Sequence, residues 1–420
     1  MAADPERLDR RETILSEAVR LFNENGYSDT RLEDIGARLG TAKTSISYYF
    51  KSKDGLLLEV YDRALTFSEE ALKRADEEDS GRAAIIAWVR AHARAHAGAL
   101  AGLAAPLALI ADLPASEGGT ETELAARYGA LLGACRHLFE RGLSDGSIRV
   151  SSSEAALFFL LNLVHWLPRW LAEVRPADHD RAIDGLCDVL IHGMAANRSR
   201  LPARQINSAP EDESQAIFDR EARNRLKREA LLRAGTRALN AHGYRSLSLA
   251  DVARELGVTR GAFYYHIADK DALLQGCFER TCTLITAAQN LAEKQDLNGL
   301  DILERSLRWL FERQISNLDP LLRPGLLAAL DTKNRLLIHA RFNRLKSGFA
   351  DMIARGMIDG SVRPVELAAA EQLALGSVFA GSHRRKALLR RLTKALPSND
   401  NITSGAYYEV LIYGLRGRTI

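Results

Sequence analysis

The feature that most constrains this chain is that it repeats itself. Residues 14–57 align with residues 231–274 at a constant offset of 217, without a gap, and 14 of 44 positions are identical. Unrelated segments of ordinary composition would share roughly two or three. The identities include Gly26 and Gly243, Tyr27 and Tyr244, Asp34 and Asp251, Leu39-Gly40 and Leu256-Gly257, Tyr48 and Tyr265, and Lys53-Asp54 and Lys270-Asp271. Two later landmarks recur as well: Arg141 to Arg149 (RGLSDGSIR) returns as Arg355 to Arg363 (RGMIDGSVR), and Val189 to Met194 (VLIHGM) as Val410 to Leu415 (VLIYGL). Their offsets of 214 and 221 imply a net seven-residue insertion in the second copy, placed near the Pro-, Ser-, Asn- and Gly-rich stretch 394–405, which reads as a loop. Whole domains are therefore duplicated.

Local patterns within the repeat are helical. Leu231, Leu232, Thr236 and Leu239 fall at helical spacing, and His242-Gly243-Tyr244 ends that helix with a residue that tolerates positive φ. Ser248 and Asp251 form the pattern of a capping box opening a second helix, which Gly257 closes. Thr259 is placed to cap a short third helix from Arg260 to His266, with Arg260, Ala262 and Tyr264 near one face and Phe263 on the other. Further helical patterns cover 56–75, 83–97, 123–143, 153–172 and 181–196, with counterparts in the second copy and no strand-like alternation. Residues 197–220 hold Pro202, Pro210 and an acidic run at 211–213 without helical period, and read as a linker. The chain is expected to be all-α.

The order Gly-Tyr, Asp-Val-Ala, Gly-Val-Thr-x-Gly, Tyr-Tyr-His and Asp-Lys-Asp-x-Leu-Leu from residue 243 to residue 274 resembles the amino-terminal DNA-binding domain of the TetR/AcrR family of bacterial transcriptional regulators. The resemblance implies two tandem TetR-like units forming a pseudo-twofold dimer. The first helix-turn-helix domain is assigned to 1–58 and its helical ligand-binding and dimerisation domain to 59–197. A linker follows at 198–222, then the second pair of domains at 223–275 and 276–420. Family members are usually homodimers; here the stretches 155–171, 182–194, 367–381 and 407–415 would form the equivalent four-helix interface within one chain. Association of two such chains, giving four heads, is the rival arrangement.

The implied partner is double-stranded operator DNA, with each reading helix in a major groove. Arg260 is the candidate base reader; Thr259, Ala262, Tyr264 and Tyr265 would meet phosphates or base edges, or one tyrosine simply packs, and Lys270 would meet a phosphate. The first copy departs from the family pattern, with Ala42 where a cap usually stands, Thr44 in place of Gly and Ser47 in place of the first Tyr. Thr41 offers a cap from one residue earlier, and Lys43, Ser45, Tyr48, Tyr49 and Lys53 remain available. Residues 1–60 carry nine Lys and Arg against eleven Asp and Glu, whereas residues 220–280 carry twelve against seven, so the second head is expected to be the stronger anchor. In the extreme the first head is only a structural half.

A small-molecule effector is the second implied partner, and repression released by that effector the implied mechanism. Pocket residues are assigned as Trp88, His92, Tyr128, Trp166, Arg169 and Trp170. NLVHWLPRWL at 162–171 is similar to a pattern in members that respond to acyl-CoA thioesters; Trp166 and Trp170, at i and i+4, equally fit an interface packing stripe. His92 and His96 stand one turn apart, but no carboxylate or cysteine lies at ligand spacing, so no metal site is assigned. The basic run 383–394 reads as a solvated helix face or as a surface for an acidic partner, a CoA phosphate or a membrane.

Composition decides less. A net charge of +3 does not by itself indicate a nucleic-acid partner. The cysteines at 135, 187, 277 and 282 make no C-x-x-C pair and are expected to be reduced and structural. The start MAADPERLDRR has no apolar signal core, and the run 155–167 is too short to span a membrane, so a cytoplasmic location is expected. No phosphate loop, nucleophile motif or cofactor signature is visible, which leaves an enzyme as the remote alternative.

Overall fold

The structure is a computed structural model and describes residues 5–109, 119–199, 220–293, 297–316, 318–379 and 402–416. Among these residues it is all-α; the only β-type pairing is an isolated bridge between Ala195 and Val362. The first copy comprises α1 (Pro5–Asn25), α2 (Leu32–Arg38), α3 (Lys43–Tyr49), α4 (Lys53–Ala75), α5 (Gly81–Leu100), α6 (Gly119–Ser144), α7 (Ser153–Leu171) and α8 (His179–His192). The second comprises α9 (Arg220–His242), α10 (Leu249–Glu255), α11 (Arg260–His266), α12 (Lys270–Glu293), α13 (Gly299–Ile315), a 3₁₀ segment (Pro324–Ala329), α14 (Thr332–Asp359), α15 (Leu367–Ser377) and α16 (Ser404–Tyr413).

Each head is a three-helix unit closed over a small apolar core. Ile14, Leu15, Ala18 and Phe22 of α1 meet Ile35 of α2, Ile46 of α3 and Leu56 of α4; Leu232 and Leu239 of α9 meet Val252, Phe263 and Leu273 in the second head. The fourth helix of each copy runs without a break from head into body, so the boundaries expected at 58 and 275 fall inside α4 and α12.

The recurring RGxxDGSxR landmark proves to be a body joint. Asp145 accepts from the amides of Gly81 and Ser147, both at 2.8 Å, and Asp359 accepts from Gly299 at 2.7 Å and Ser361 at 2.9 Å. The bonds from Gly81 and Gly299 satisfy free amides that open α5 and α13. The glycines are obligatory: a Cβ on Gly81 would lie 2.2 Å from the amide nitrogen of Gly142, and one on Gly299 2.2 Å from that of Gly356.

The second landmark is where the two copies cross. α7 and α8 pack against α15 and α16, forming the expected four-helix layer inside one chain. Gly193 (φ +68°) and Gly414 (φ +71°) stop α8 and α16 and face each other so closely that a Cβ on either would fall 2.4 Å from the other segment's backbone. Backbone bonds then run both ways, from Ala195 to the carbonyl of Ile412 and from Leu415 to that of Leu190, each at 2.8 Å. This crossing is why α8 ends at His192, four residues before the helix expected from periodicity. Tyr407 fills the layer, stacked on Phe311 at 4.6 Å and in contact with Phe158 and Phe159. Ion pairs at the rim join Arg363 to Asp188 (2.6 Å) and Arg181 to Glu366 (2.9 Å).

α9 begins at Arg220, so the last residues assigned to the linker are helical. The basic run 383–394, most of the 394–405 loop and most of the linker lie outside the described residues. The four cysteines are free and buried. Among the described residues no helix is long and apolar enough to cross a membrane.

Candidate nucleic-acid interface and adjoining cavity

The reading helices present the faces that their spacing implies. On α11, Phe263 is buried at 1% exposure, while Arg260 and Ala262 are exposed and Tyr264 and Tyr265 project at 49% and 70%. Neither tyrosine is spent on packing. Thr259 caps this helix, accepting from the amide of Ala262 at 3.3 Å. On α3, Ile46 takes the buried place, Lys43 and Ser45 are exposed, Tyr48 is 68% exposed, and Tyr49 is half-buried. Ala42 stands at its N-cap and supplies no side-chain bond.

The capping box expected at Ser248 forms by one arm. Its hydroxyl accepts from Asp251 at 3.3 Å, but the Asp251 carboxylate pairs with Arg254 at 2.7 Å. In the first copy the other arm survives: Asp34 accepts from the amide of Arg31 at 2.7 Å.

Lys53 and Lys270 turn inward. Lys53 donates to the carbonyls of Tyr27 (2.8 Å) and Thr30 (2.9 Å) and lies over the Tyr27 ring; Lys270 donates to that of Arg245 (3.0 Å) and lies over Tyr244. Burial lowers the pKa of both amines. The hydroxyls of Tyr27 and Tyr244 bond to Asp54 and Asp271. The repeated Gly-Tyr and Lys-Asp pairs thus tie the first turn of each head to the start of its fourth helix, which accounts for their recurrence without a phosphate contact.

The two readers differ electrostatically. Lys43 sits 2.8 Å from Glu33, whose carboxyl it holds below the usual range. The position equivalent to Glu33 is Ala250, and Arg260, the equivalent of Lys43, forms no ion pair with a described residue.

The heads also grip each other, which sequence patterns did not reveal. Asp29, nearly buried, accepts from the backbone amides of Tyr244 (2.8 Å) and Arg245, and the Arg245 guanidinium pairs with Asp34 at 2.6 Å. The equivalents are Ser28 for Arg245 and Ser246 for Asp29. The clasp is therefore asymmetric, an acid from one copy and a base from the other. Gly243 (φ +79°) is required beneath it, since a Cβ there would lie 2.7 Å from the Asp29 carboxylate.

Below the heads is a cavity of about 550 Å³. Its walls come from the end of α1 (Phe22 to Tyr27), His96 and Leu100 of α5, Asn162, Trp166 and Arg169 of α7, and Arg323, His339 and Phe379 from the second copy. Asn23 and Asn240, identical at the 217 offset, also line it and do matching work: Asn23 bonds the backbone of Leu107 and Leu109, and Asn240 that of Leu321 and Arg323. Of the six assigned pocket residues, Trp166 and Arg169 line this cavity. Trp88, His92 and Tyr128 line a neighbouring one of about 40 Å³, and Trp170, 1% exposed, lines neither. Trp166 lines the cavity and also packs across the two copies: its ring stacks on Phe379 at 5.7 Å and its indole N–H donates to Gln372 at 3.0 Å. Burial brings the pKa of His92 down to about 4 and that of His96 to about 3, so both rings are neutral near pH 7. His92 is held by Ser68 and the Trp88 carbonyl, each at 3.0 Å. Among the described residues no group of three or more His, Cys, Asp or Glu is placed to hold a metal.

Comparison with known proteins identifies the heads. The family model described as "Bacterial regulatory proteins, tetR family" matches residues 14–60 and 231–277. The HTH-type transcriptional regulator RutR of Escherichia coli K12 is 36% identical over 81 residues, 19% of this chain and 38% of RutR, so the chain spans well under half of that relative. The uncharacterized HTH-type transcriptional regulator YhgD of Bacillus subtilis is 24% identical over 203 residues, 45% of this chain and 99% of YhgD. Among solved structures, AibR in complex with isovaleryl coenzyme A and operator DNA aligns at 22% identity and a TM-score of 0.35, over 43% of this chain and 98% of AibR. The TetR family regulator PfmR from Thermus thermophilus aligns at 21% and 0.32, over 42% and 96%. Residues 14–60 and 231–277 each match the tetR family of bacterial regulatory proteins, so two tetR-type helix-turn-helix units stand in tandem in this chain.

Proposed function

We propose that this protein is a cytoplasmic, sequence-specific DNA-binding regulator, a repressor rather than an enzyme, in which one chain does the work of a homodimer. The observation that carries this reading is the crossing at Gly193 and Gly414, which joins two reading heads through one internal four-helix layer. One chain then meets two successive major grooves, about 34–36 Å apart. Because α3 and α11 differ at nearly every exposed position, the operator has two dissimilar halves.

Arg260, unpaired among the described residues beside the exposed Tyr264 and Tyr265, supports the second head as the principal anchor, with Lys43, Ser45, Tyr48 and Tyr49 as the first head's weaker set. Thr259 and Ala262 lie close to the groove. Lys53 and Lys270 serve by holding the first turn of each head and reach phosphates only by leaving those carbonyls.

An effector bound in the cavity below the heads shifts the chain between head spacings, to the extent that its affinity for the two states differs. The 162–171 run supports an acyl-CoA thioester as one candidate. The test is to select DNA from a random pool and weigh the complex by light scattering. One chain on a site with unlike halves is the expected result. Two chains on a palindrome would refute the covalent pseudo-dimer and leave the first head as scaffold.

A further inference from the structure

The cavity beneath the heads has a charge pattern that defines what it takes. Its walls are mainly apolar, from Leu100, Leu107, Trp166, Pro168 and Phe379. Two acids reach it, and both are engaged elsewhere: Glu173 accepts from Lys346 and Gln372, each at 3.0 Å, and Glu24 pairs with Arg38 at 3.3 Å. Arg20, Arg169 and Arg323 also line it, Arg20 being paired with Glu17 at 3.1 Å, and Arg169 is set apart. Arg169 is half-buried on the same wall and makes no hydrogen bond or salt bridge with any described residue. Glu173 on the same wall acts on it electrostatically without a hydrogen bond, and a half-buried guanidinium that lacks a hydrogen-bonded carboxylate gains from an anion that joins it.

Two neutral groups complete the lining. The carbonyl oxygen of the Asn162 side chain is buried with no donor, its amide being given to the Phe158 carbonyl and the Tyr407 hydroxyl. His96 is buried at the wall and has no hydrogen bond to a described residue. A cation with no hydrogen-bond partner among the described residues, beside a buried acceptor on largely apolar walls, suits an anionic group on an apolar body, and a volume in this range encloses a drug-sized molecule.

We propose that the cavity binds one small organic anion per chain, its carboxylate or phosphate on Arg169 and its apolar body against Trp166, Phe379 and Leu107. This rests on the effector reading above and names its chemical class. The site also has a lever. Tyr27 lines the cavity and stands two residues before Asp29, which grips the backbone of the second head. An occupant pressing on the end of α1 therefore bears on the segment that couples the heads.

The test uses the full chain and three ten-carbon probes, decanoate, decyl phosphate and decanol, titrated by calorimetry. Both anions, or one of them, should bind at least 10-fold tighter than decanol, and whichever anion is tighter identifies the headgroup. R169Q should abolish the preference and R169K restore part of it; if R169Q does not fold, the loss in R169K relative to wild type carries the test. Equal binding of decanol and both anions, no binding of any probe, or an anion preference that survives R169Q would overturn the proposal. Operator affinity is measured in parallel. An Arg169-dependent anion preference that leaves operator affinity unmoved upholds the site and refutes only its role as the effector switch.

Discussion

Replacing Asp29 by alanine tests the clasp between the heads. The carboxylate accepts from two backbone amides of the other head, those of Tyr244 and Arg245. A hydrogen bond to a charged acceptor contributes about 1.5–3 kcal/mol, which gives about 3–6 kcal/mol for two. Tyr244 is half-buried and Arg245 exposed, so water re-satisfies their amides and roughly halves the loss, to about 1.5–3 kcal/mol. At about 1.4 kcal/mol per tenfold, the opening equilibrium of this contact shifts by roughly 10- to 150-fold. Hydrogen exchange at the two amides reads that shift directly. D29A should accelerate both by this factor, and D29N, keeping one acceptor oxygen, by less. The Arg245–Asp34 pair persists in both variants, so the heads remain neighbours while the amides open. Acceleration of less than about threefold would refute the assignment of Asp29 as the principal tie.

The remaining predictions concern other levels of the fold. A42T should give α3 the cap that Thr259 gives α11 and stabilise the first head by about 1 kcal/mol, whereas T259A should destabilise the second by a similar amount; urea melts of both variants check this. R260A should weaken operator binding more than K43A, because Lys43 is already paired with Glu33; equal losses in a fluorescence titration would contradict that ranking. His92 and His96 have folded-state pKa values below the unfolded value of 6.5, at about 4 and about 3. Below pH 6.5 the unfolded chain binds protons that the folded chain refuses. Their contribution is therefore intact above pH 6.5 and falls as pH drops toward those values, by up to about 1.4 kcal/mol per pH unit for each ring, and H92Q/H96Q should flatten that slope. Burial pushes the thiols of Cys135 and Cys277 up to about 12 and those of Cys187 and Cys282 up to about 11; iodoacetamide at pH 8 should leave native protein unlabelled and modify all four once it unfolds.

What could be read from the sequence by itself was whatever local chemistry or repetition carries. The left-handed stops at Gly243 and Gly257 with their counterparts Gly26 and Gly40, the cap at Thr259, the inward Phe263 and the outward Arg260, Ala262 and Tyr264 each depend on residues within one or two turns, and all appear where the pattern placed them, whereas Tyr265, which the pattern left open to packing, is exposed. The duplication likewise announced two heads and an internal four-helix layer, because a chain repeating a dimerising unit can bury its apolar helices against itself. Tertiary structure alone decided the contacts between residues far apart in the chain. Periodicity carried α8 on to residue 196, but the backbone of Gly414 faces Gly193 and turns it at 193. The resemblance implied a phosphate contact for Lys270, and only the packed head shows that its amine, like that of Lys53, is bonded to backbone carbonyls. Asp29 and Arg245 appeared only as mismatches in the repeat. The cavity joins Tyr27, Arg169 and His339, residues that no local pattern relates. The reason is physical: caps and turns are determined by neighbours in sequence, whereas the burial of a carboxylate or the isolation of a guanidinium depends on which surfaces close over it.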